Sequence, residues 1–263
     1  MKTSFKSIFS ALVIPVSLVV AICVYIFIFG DGSHFQGGSN ENMPLPGDFF
    51  GVIYKGGFIV PILMAFLLIV IVYSFERYFA IGKASGKINS VNFVLQIKSL
   101  LDKNSIKEAK DLCLAQKGSV GNVVLSSLEK YEQMEHEKEL TKDQKLVAIQ
   151  KEVEESTALE LPSLEQNLVI LATLSSVSTL VALLGTVIGM IRAFAAMSSA
   201  GAPDSTALAT GISEALINTA LGIGTAAVAV IMYNVFTTKI DKLTHSIDEA
   251  GYSIVQSYAA NHK

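Results

Sequence analysis

The chain has 263 residues, 51% of them hydrophobic and 16% charged, with a formal net charge of −3. Soluble globular domains carry about 25% charged residues, so this composition excludes an ordinary soluble domain, and no nucleic-acid partner is expected. Cys23 lies inside an apolar run and Cys113 outside one, which excludes a disulfide framework.

Four uncharged segments are long enough to span a membrane, for which a helix needs about 17–20 residues. They are Ser7–Gly30, Gly56–Ser74, Gln166–Ile191 and the run Ser205–Thr238, interrupted only by Glu214. The expected fold is therefore all-α. It is a polytopic helical membrane protein with four transmembrane helices, two of them long and extending into the cytoplasm.

Lys2 and Lys6 ahead of the first run also describe a signal peptide. Its apolar part exceeds the roughly 7–15 residues of such a segment, however, and no small-x-small cleavage site follows Phe29. Residues 1–30 are read as a retained, extra N-terminal transmembrane helix. Residues 31–55, rich in Gly, Ser, Asn and Pro, read as a flexible periplasmic loop, with Phe49–Ile53 leading into a transmembrane helix over 56–79.

Residues 80–165 read as a cytoplasmic helical domain. Ser105 and Glu108 form a capping box ahead of Ala109, Leu112 and Cys113, with Gly118 as the stop. Val123, Val124, Leu128 and Tyr131 share the core-facing side of a helix over Ser119–Glu135, and the charged stretch Lys138–Glu155 is a solvated helix face. A helix from about Lys142 is expected to run, kinked at Pro162, straight into the third span. His34, His136, His245 and His262 are scattered, read as solvated side chains, and give no metal-ligand spacing.

Charge sets the orientation. The connectors Asp31–Lys55 and Ala193–Ser205 hold one basic residue, Lys55, whereas Lys2, Lys6, Arg77, Lys83, Lys87, Lys239 and Lys242 flank the spans on the other side. The positive-inside rule puts both termini and the central segment in the cytoplasm.

Residues 166–238 form the pair of spans with chemistry in them, about 166–195 and 205–238, followed by a cytoplasmic C-terminal helix over 239–263. In the third span Ser175, Thr179, Ala182, Thr186, Gly189 and Ala193 follow at three- and four-residue steps and share one face. Such a stripe suits a pore lining or a close helix contact, and Gly185 with Gly189 makes a GxxxG pair for helix packing.

In the fourth span Glu214, Asn218, Leu221 and Thr225 fall along one face, with Thr219 about 140° round from Glu214. A carboxylate facing lipid costs about 2.5–3.5 kcal/mol on insertion scales. Glu214 therefore either faces a bundle interior or a water-filled path, or lies near the outer interface, a few turns past the turn at Pro203–Asp204.

The runs Gly185–Thr186–Val187–Ile188–Gly189–Met190, Ala193–Phe194, Gly211–Ile212–Ser213–Glu214–Ala215–Leu216–Ile217–Asn218–Thr219–Ala220–Leu221–Gly222 and Tyr233–Asn234 closely resemble the MotA/TolQ/ExbB proton-channel family. The Glu214 segment is similar to the ExbB/TolQ branch. The resemblance is specific over about Leu171–Asn234, looser over the second span with Glu76–Arg77 and the Ala109–Cys113 helix, and does not cover the first span. Two departures bear on the kinks of the pore helices. Ser178–Thr179–Leu180–Val181–Ala182 stands where the family often has proline and a second glycine, and no proline lies near Val228.

The resemblance implies an inner-membrane ring, expected to be a homopentamer, around two copies of an ExbD/TolR-like single-helix subunit that carries the ion-binding aspartate. It implies that Thr186, Glu214 and Thr219 belong to the ion pathway, with Ser175, Thr179, Asn218 and Thr225 as further candidate pore-lining residues. The threonines would hydrogen-bond the partner's carboxylate or pathway water. Glu214 would tune the outer part of the path or contact a neighbouring subunit. Burial favours its neutral form, which would make it a structural hydrogen-bond donor and not an obligatory proton carrier. Force would pass outward through a TonB-like energy transducer to drive TonB-dependent transport, or serve a TolQ-like role in envelope integrity. Two other classes are weighed: an intramembrane enzyme, for which no serine–histidine or paired-aspartate arrangement lies in the spans, and a passive scaffold in membrane lipid. No enzyme activity, cofactor or metal is expected.

Overall fold

The computed structural model describes residues 2–198 and 205–262, with side chains from Leu12 onward. The turn expected at Pro203–Asp204 lies outside these residues. Among them the secondary structure is helical, and one isolated bridge, Phe35 to Pro44, is the only β pairing. The architecture is all-α, with four helices long and apolar enough to cross a membrane.

The helices in chain order are α1 (Lys2–Cys23), α2 (Phe49–Tyr54), α3 (Val60–Ala84), α4 (Ser90–Asp102), α5 (Ile106–Gln116), α6 (Gly118–His136), α7 (Lys142–Glu165), α8 (Leu168–Ser198) and α9 (Ser205–Asn261). They divide between two compact units, one made of Met1–Phe75 with Val169–Tyr233, the other of Glu76–Leu168 with Asn234–Lys263. At 1.5 Å per residue, the 57 residues of α9 extend over roughly 85 Å.

In the first unit α8 and α9 leave many large apolar side chains exposed and bury small ones. Leu180, Val187 and Ile191 on α8 and Leu216, Ile223 and Ile231 on α9 are exposed, while Ala182, Ala193, Ala215 and Ala229 are buried. Small residues at the helix contacts with large apolar ones on the outer faces is the arrangement of helices packed in lipid. α1 runs on through a wider π-type segment, Val24–Phe29, to Gly30. There Tyr25 stacks on Tyr54 at 4.7 Å and donates to the Tyr54 carbonyl at 2.8 Å, and Phe29 stacks on Phe50 at 5.2 Å.

The connector read as flexible is a folded loop. Asp31 accepts from the Ser33 amide, His34 Nδ1 lies 2.8 Å from Asp48 Oδ2, and Asp48 caps α2 through the Gly51 amide. The Lys55 ammonium donates to the carbonyls of Asn40 and Glu41. Its Asp and Asn side chains satisfy turn amides, so the polar composition that suggested mobility is what closes the loop. His34 is accordingly engaged rather than solvated, as is His262, which stacks on Tyr258 at 4.2 Å.

In the second unit Phe93, Val94, Ile97 and Leu101 of α4, Val123, Val124, Leu128 and Tyr131 of α6, and Leu243, Ile254 and Tyr258 of α9 are buried. Gln116 is buried with its amide satisfied, accepting from the Ile88 amide and donating to the carbonyls of Ser85 and Ile88. The capping box expected at Ser105 is absent, since Ser105 makes no side-chain cap bond; the box forms instead at Thr141 with Gln144.

The helix expected to run through Pro162 into the third span is broken. α7 ends at Glu165, Asn167 adopts a left-handed φ of 67°, and α8 starts at Leu168. Asparagine tolerates that conformation better than most residues, and its amide donates to Glu76 Oε2 at 3.2 Å. The fully buried Arg77 is paired to the Glu76 carboxylate and donates to the carbonyls of Ser163 and Leu164. A guanidinium on the last carbonyls of a helix complements its dipole, which stabilises the break.

Candidate functional site: a polar seam between two apolar helices

α8 and α9 run antiparallel and approach through glycine. A β-carbon on Gly189 would stand 2.8 Å from the Gly211 carbonyl oxygen, and one on Gly211 would stand 2.7 Å from the Gly189 carbonyl oxygen. A β-carbon on Gly185 would meet the Asn218 side chain at 2.8 Å, and one on Gly222 would meet the Ala182 β-carbon at 2.1 Å. Gly185 and Gly189 thus both sit where the helices come closest.

Thr186 and Thr219 face each other at the middle of this contact, their hydroxyls 2.5 Å apart. Thr186 Oγ1 also lies 3.1 Å from the Ala182 carbonyl and 3.3 Å from that of Ala215, and Thr219 Oγ1 lies 3.0 Å from the same Ala215 carbonyl. Two hydroxyls carry two protons, so this cluster of oxygens holds more acceptors than donors. Both threonines are half-buried.

Glu214 lies one turn closer to the start of α9 and is 4% exposed. Arg192 Nη1 is 2.8 Å from one carboxylate oxygen and 2.9 Å from the other. Arg192 itself is about half exposed, its side chain at 53%, and its guanidinium lies 5.9 Å from the centre of the Phe58 ring. Glu214 is therefore an acceptor in an ion pair, which corrects the expectation of a neutral donor.

Gly57, with φ of +79°, passes directly beneath this carboxylate: a β-carbon there would lie 2.3 Å from Glu214 Oε1. A cavity of about 780 Å³ opens beside the pair, with Lys55, Glu41 and Thr210 also on its walls. Burial pushes the Lys55 ammonium below its ordinary pKa, against a smaller opposing effect of Glu41.

The other candidate residues divide by burial. Ser175 and Thr179 are half-buried, and Ser175 donates to its own helix at the Ala172 carbonyl. Asn218 and Thr225 are buried. Asn218 donates to the Gly56 carbonyl at 3.0 Å while its Oδ1 has no partner among the described residues, and Thr225 donates back to the Leu221 carbonyl.

Arg192 is the residue that sequence reasoning passed over. It stands between the span Gln166–Ile191 and the connector Ala193–Ser205, and neither reading takes it in. The available signal was a lone arginine ending one apolar helix and a lone glutamate early in the next. In an antiparallel pair such charges come to the same level.

Residues 119–249, about half the chain, match the model of the MotA/TolQ/ExbB proton channel family. The chain is 42% identical over 84 residues to the Tol-Pal system protein TolQ of Haemophilus influenzae, covering 32% of this chain and 37% of that protein. It is 38% identical over 86 residues to the putative biopolymer transport protein ExbB-like 3 of Synechocystis sp., covering 32% and 41%. It is also 33% identical over 99 residues to the putative biopolymer transport protein ExbB-like 2 of Helicobacter pylori, covering 35% and 66%. The first two matches span about two fifths of the relatives' own length. The seam from Ser175 to Thr225 lies wholly inside the family match, and the chain belongs to the MotA/TolQ/ExbB proton channel family.

Proposed function

We propose that this chain is the ring-forming inner-membrane subunit of a proton-driven motor. In this reading it assembles as a pentamer around two copies of an ExbD/TolR-like single-helix partner and uses the proton motive force to energise TonB-dependent outer-membrane transport through a TonB-like transducer. The observation that carries the reading is the contact of Thr186 with Thr219 in the middle of two apolar helices. A partner carboxylate brought against this pair could exchange hydrogen bonds with both hydroxyls in either protonation state. It would give up its proton there without leaving a bare charge in hydrocarbon.

Within this reading Thr186 and Thr219 contact the titrating group, and Ser175 and Thr179 extend the lining. Asn218 and Thr225, buried in the protomer, hold the lining helices from behind. Glu214 with Arg192 sets the potential at the outer entry, where the 780 Å³ cavity supplies water access. The driving force is about 2.3 kcal/mol per charge per 100 mV of membrane potential. Orientation follows the basic flanks, with both termini in the cytoplasm. Arg192 adds a second cation at the outer connectors, but Glu214 balances it.

A TolQ-like role in envelope integrity is the second reading, supported by the similarity to a Tol-Pal system protein. Native mass spectrometry of the chain co-expressed with its small single-helix neighbour tests the assembly. The motor reading expects five copies with two of the neighbour, and a lone chain or a ring that never takes up a partner contradicts it.

A further inference from the structure

The second unit contains a cavity of about 460 Å³ whose charge is of one sign. Lys83 of α3 and Lys239 and Lys242 of α9 line it, no Asp or Glu does, and none of the three lysines has an ion-pair partner among the described residues. Asn89 and Ser90 bring the N-terminal end of α4 to the same wall, and the positive end of a 13-residue helix favours an anion. Three lysines without an ion-pair partner among the described residues line one cavity and leave it short of negative charge.

The aromatic side of the cavity indicates where that charge comes from. Tyr78 and Phe79 line it and are 57% and 69% exposed, with the Lys239 ammonium 5.0 Å from the centre of the Tyr78 ring. On α3 these aromatics lie one turn past Phe75, at the end of the apolar run. On α9 Lys239 is the first charged residue after Glu214. Both helices therefore enter the cavity at the point where their membrane-spanning stretch stops. Aromatic rings mixed with lysines at that level are the chemistry of the lipid headgroup region.

We propose that this cavity binds the phosphate of an anionic phospholipid, with Lys83, Lys239 and Lys242 on the headgroup and Tyr78 and Phe79 along the first acyl carbons. The ligand chemistry is a phosphate ester; a free phosphate would satisfy the lysines alone, whereas the exposed rings add contact only for a lipid. Such a site would fix the ring subunit's depth in the bilayer and is independent of the ion pathway.

The test uses the full chain in neutral detergent, titrated separately with phosphatidylglycerol, phosphatidylcholine and inorganic phosphate, with bound lipid counted by native mass spectrometry. Phosphatidylglycerol should bind at least tenfold tighter than phosphatidylcholine. The triple variant Lys83→Gln/Lys239→Gln/Lys242→Gln should lose that preference, while Lys98→Gln/Lys107→Gln/Lys151→Gln, with the same charge removed elsewhere, should keep it. Gly82→Leu provides a second variant: Gly82 lines the cavity and a β-carbon there meets nothing within 4 Å, so an added side chain should occupy cavity space and also weaken binding at least tenfold. Equal binding of both lipids, or unchanged binding in Gly82→Leu and the triple variant, overturns the proposal. Inorganic phosphate that binds at millimolar concentration and displaces the lipid fully overturns the lipid source in favour of a soluble phosphate.

Discussion

The Arg192 guanidinium reaches both carboxylate oxygens of Glu214, at 2.8 and 2.9 Å, from the end of one apolar helix to the start of the next. Arg192 is the one charged residue of α8 and Glu214 the one charge in the apolar run of α9, and their exposures differ sharply: Glu214 is buried and Arg192 is half in solvent. That asymmetry predicts unequal mutant effects.

Removing Arg192 strands a buried carboxylate, whereas removing the charge of Glu214 leaves an arginine that can turn to water. Breaking a fully buried pair costs about 3–5 kcal/mol; because Arg192 is exposed, about 2 kcal/mol is expected for Arg192→Met and under about 1 kcal/mol for Glu214→Gln. The double variant should recover most of the Arg192→Met loss. Thermal unfolding in detergent checks the ordering, and equal costs for the two single variants would contradict it.

Gly57 is constrained twice, by a left-handed φ and by the carboxylate next to it. Gly57→Ala should cost about 1–2 kcal/mol in backbone strain and displace Glu214 from Arg192 as well. The cost should fall when Glu214→Ala is added, because only the strain remains. Simple additivity would show that the carboxylate is not held where the structure has it.

The outer loop carries an acid-sensitive contact. The Gly51 amide, and next the His34 side chain, hold the Asp48 carboxyl below its usual range. A carboxylate depressed in the folded state adds stability above its unfolded value, near 4, and loses it as pH falls through the folded value. Exchange of the Gly51 amide should stay slow from neutral pH to about pH 4 and quicken below. Asp48→Asn should exchange faster throughout and lack the acid transition.

Cys113 is buried in the second unit, and burial pushes its thiol up to about 12. The thiol is neutral at physiological pH and unreactive while the unit is folded. A maleimide at pH 7.5 should leave Cys113 unlabelled in the native protein and label it fully in denaturant. Rapid native labelling would mean that the helices around it open.

Much of this was legible in the residues because lipid and water impose strong, simple patterns. Four uncharged runs give four membrane-length helices, and the three- and four-residue steps through Ala182, Thr186 and Gly189 put those residues on the side of α8 that meets α9. Thr186 and Thr219 could each be named, but their mutual contact depends on the register of two helices, which one helix's periodicity does not carry. Arg192 was lost for a related reason: window reading trims charged residues from span ends, where paired charges sit. The break at Gln166–Asn167 needed tertiary information as well, since Arg77, remote in sequence, satisfies the carbonyls that end α7. The loop's order rests on the mutual satisfaction of Asp31, His34 and Asp48, which composition cannot distinguish from a mobile polar segment.

The most direct test of the account is proton flux under an imposed membrane potential, in proteoliposomes holding the chain with its co-expressed single-helix partner. Thr186→Val keeps the side-chain shape and removes the hydroxyl, at a cost to stability of about 1 kcal/mol. The account predicts that the complex still assembles while flux drops at least tenfold. Wild-type flux from an intact Thr186→Val complex would contradict the claim that the α8–α9 seam carries the ion.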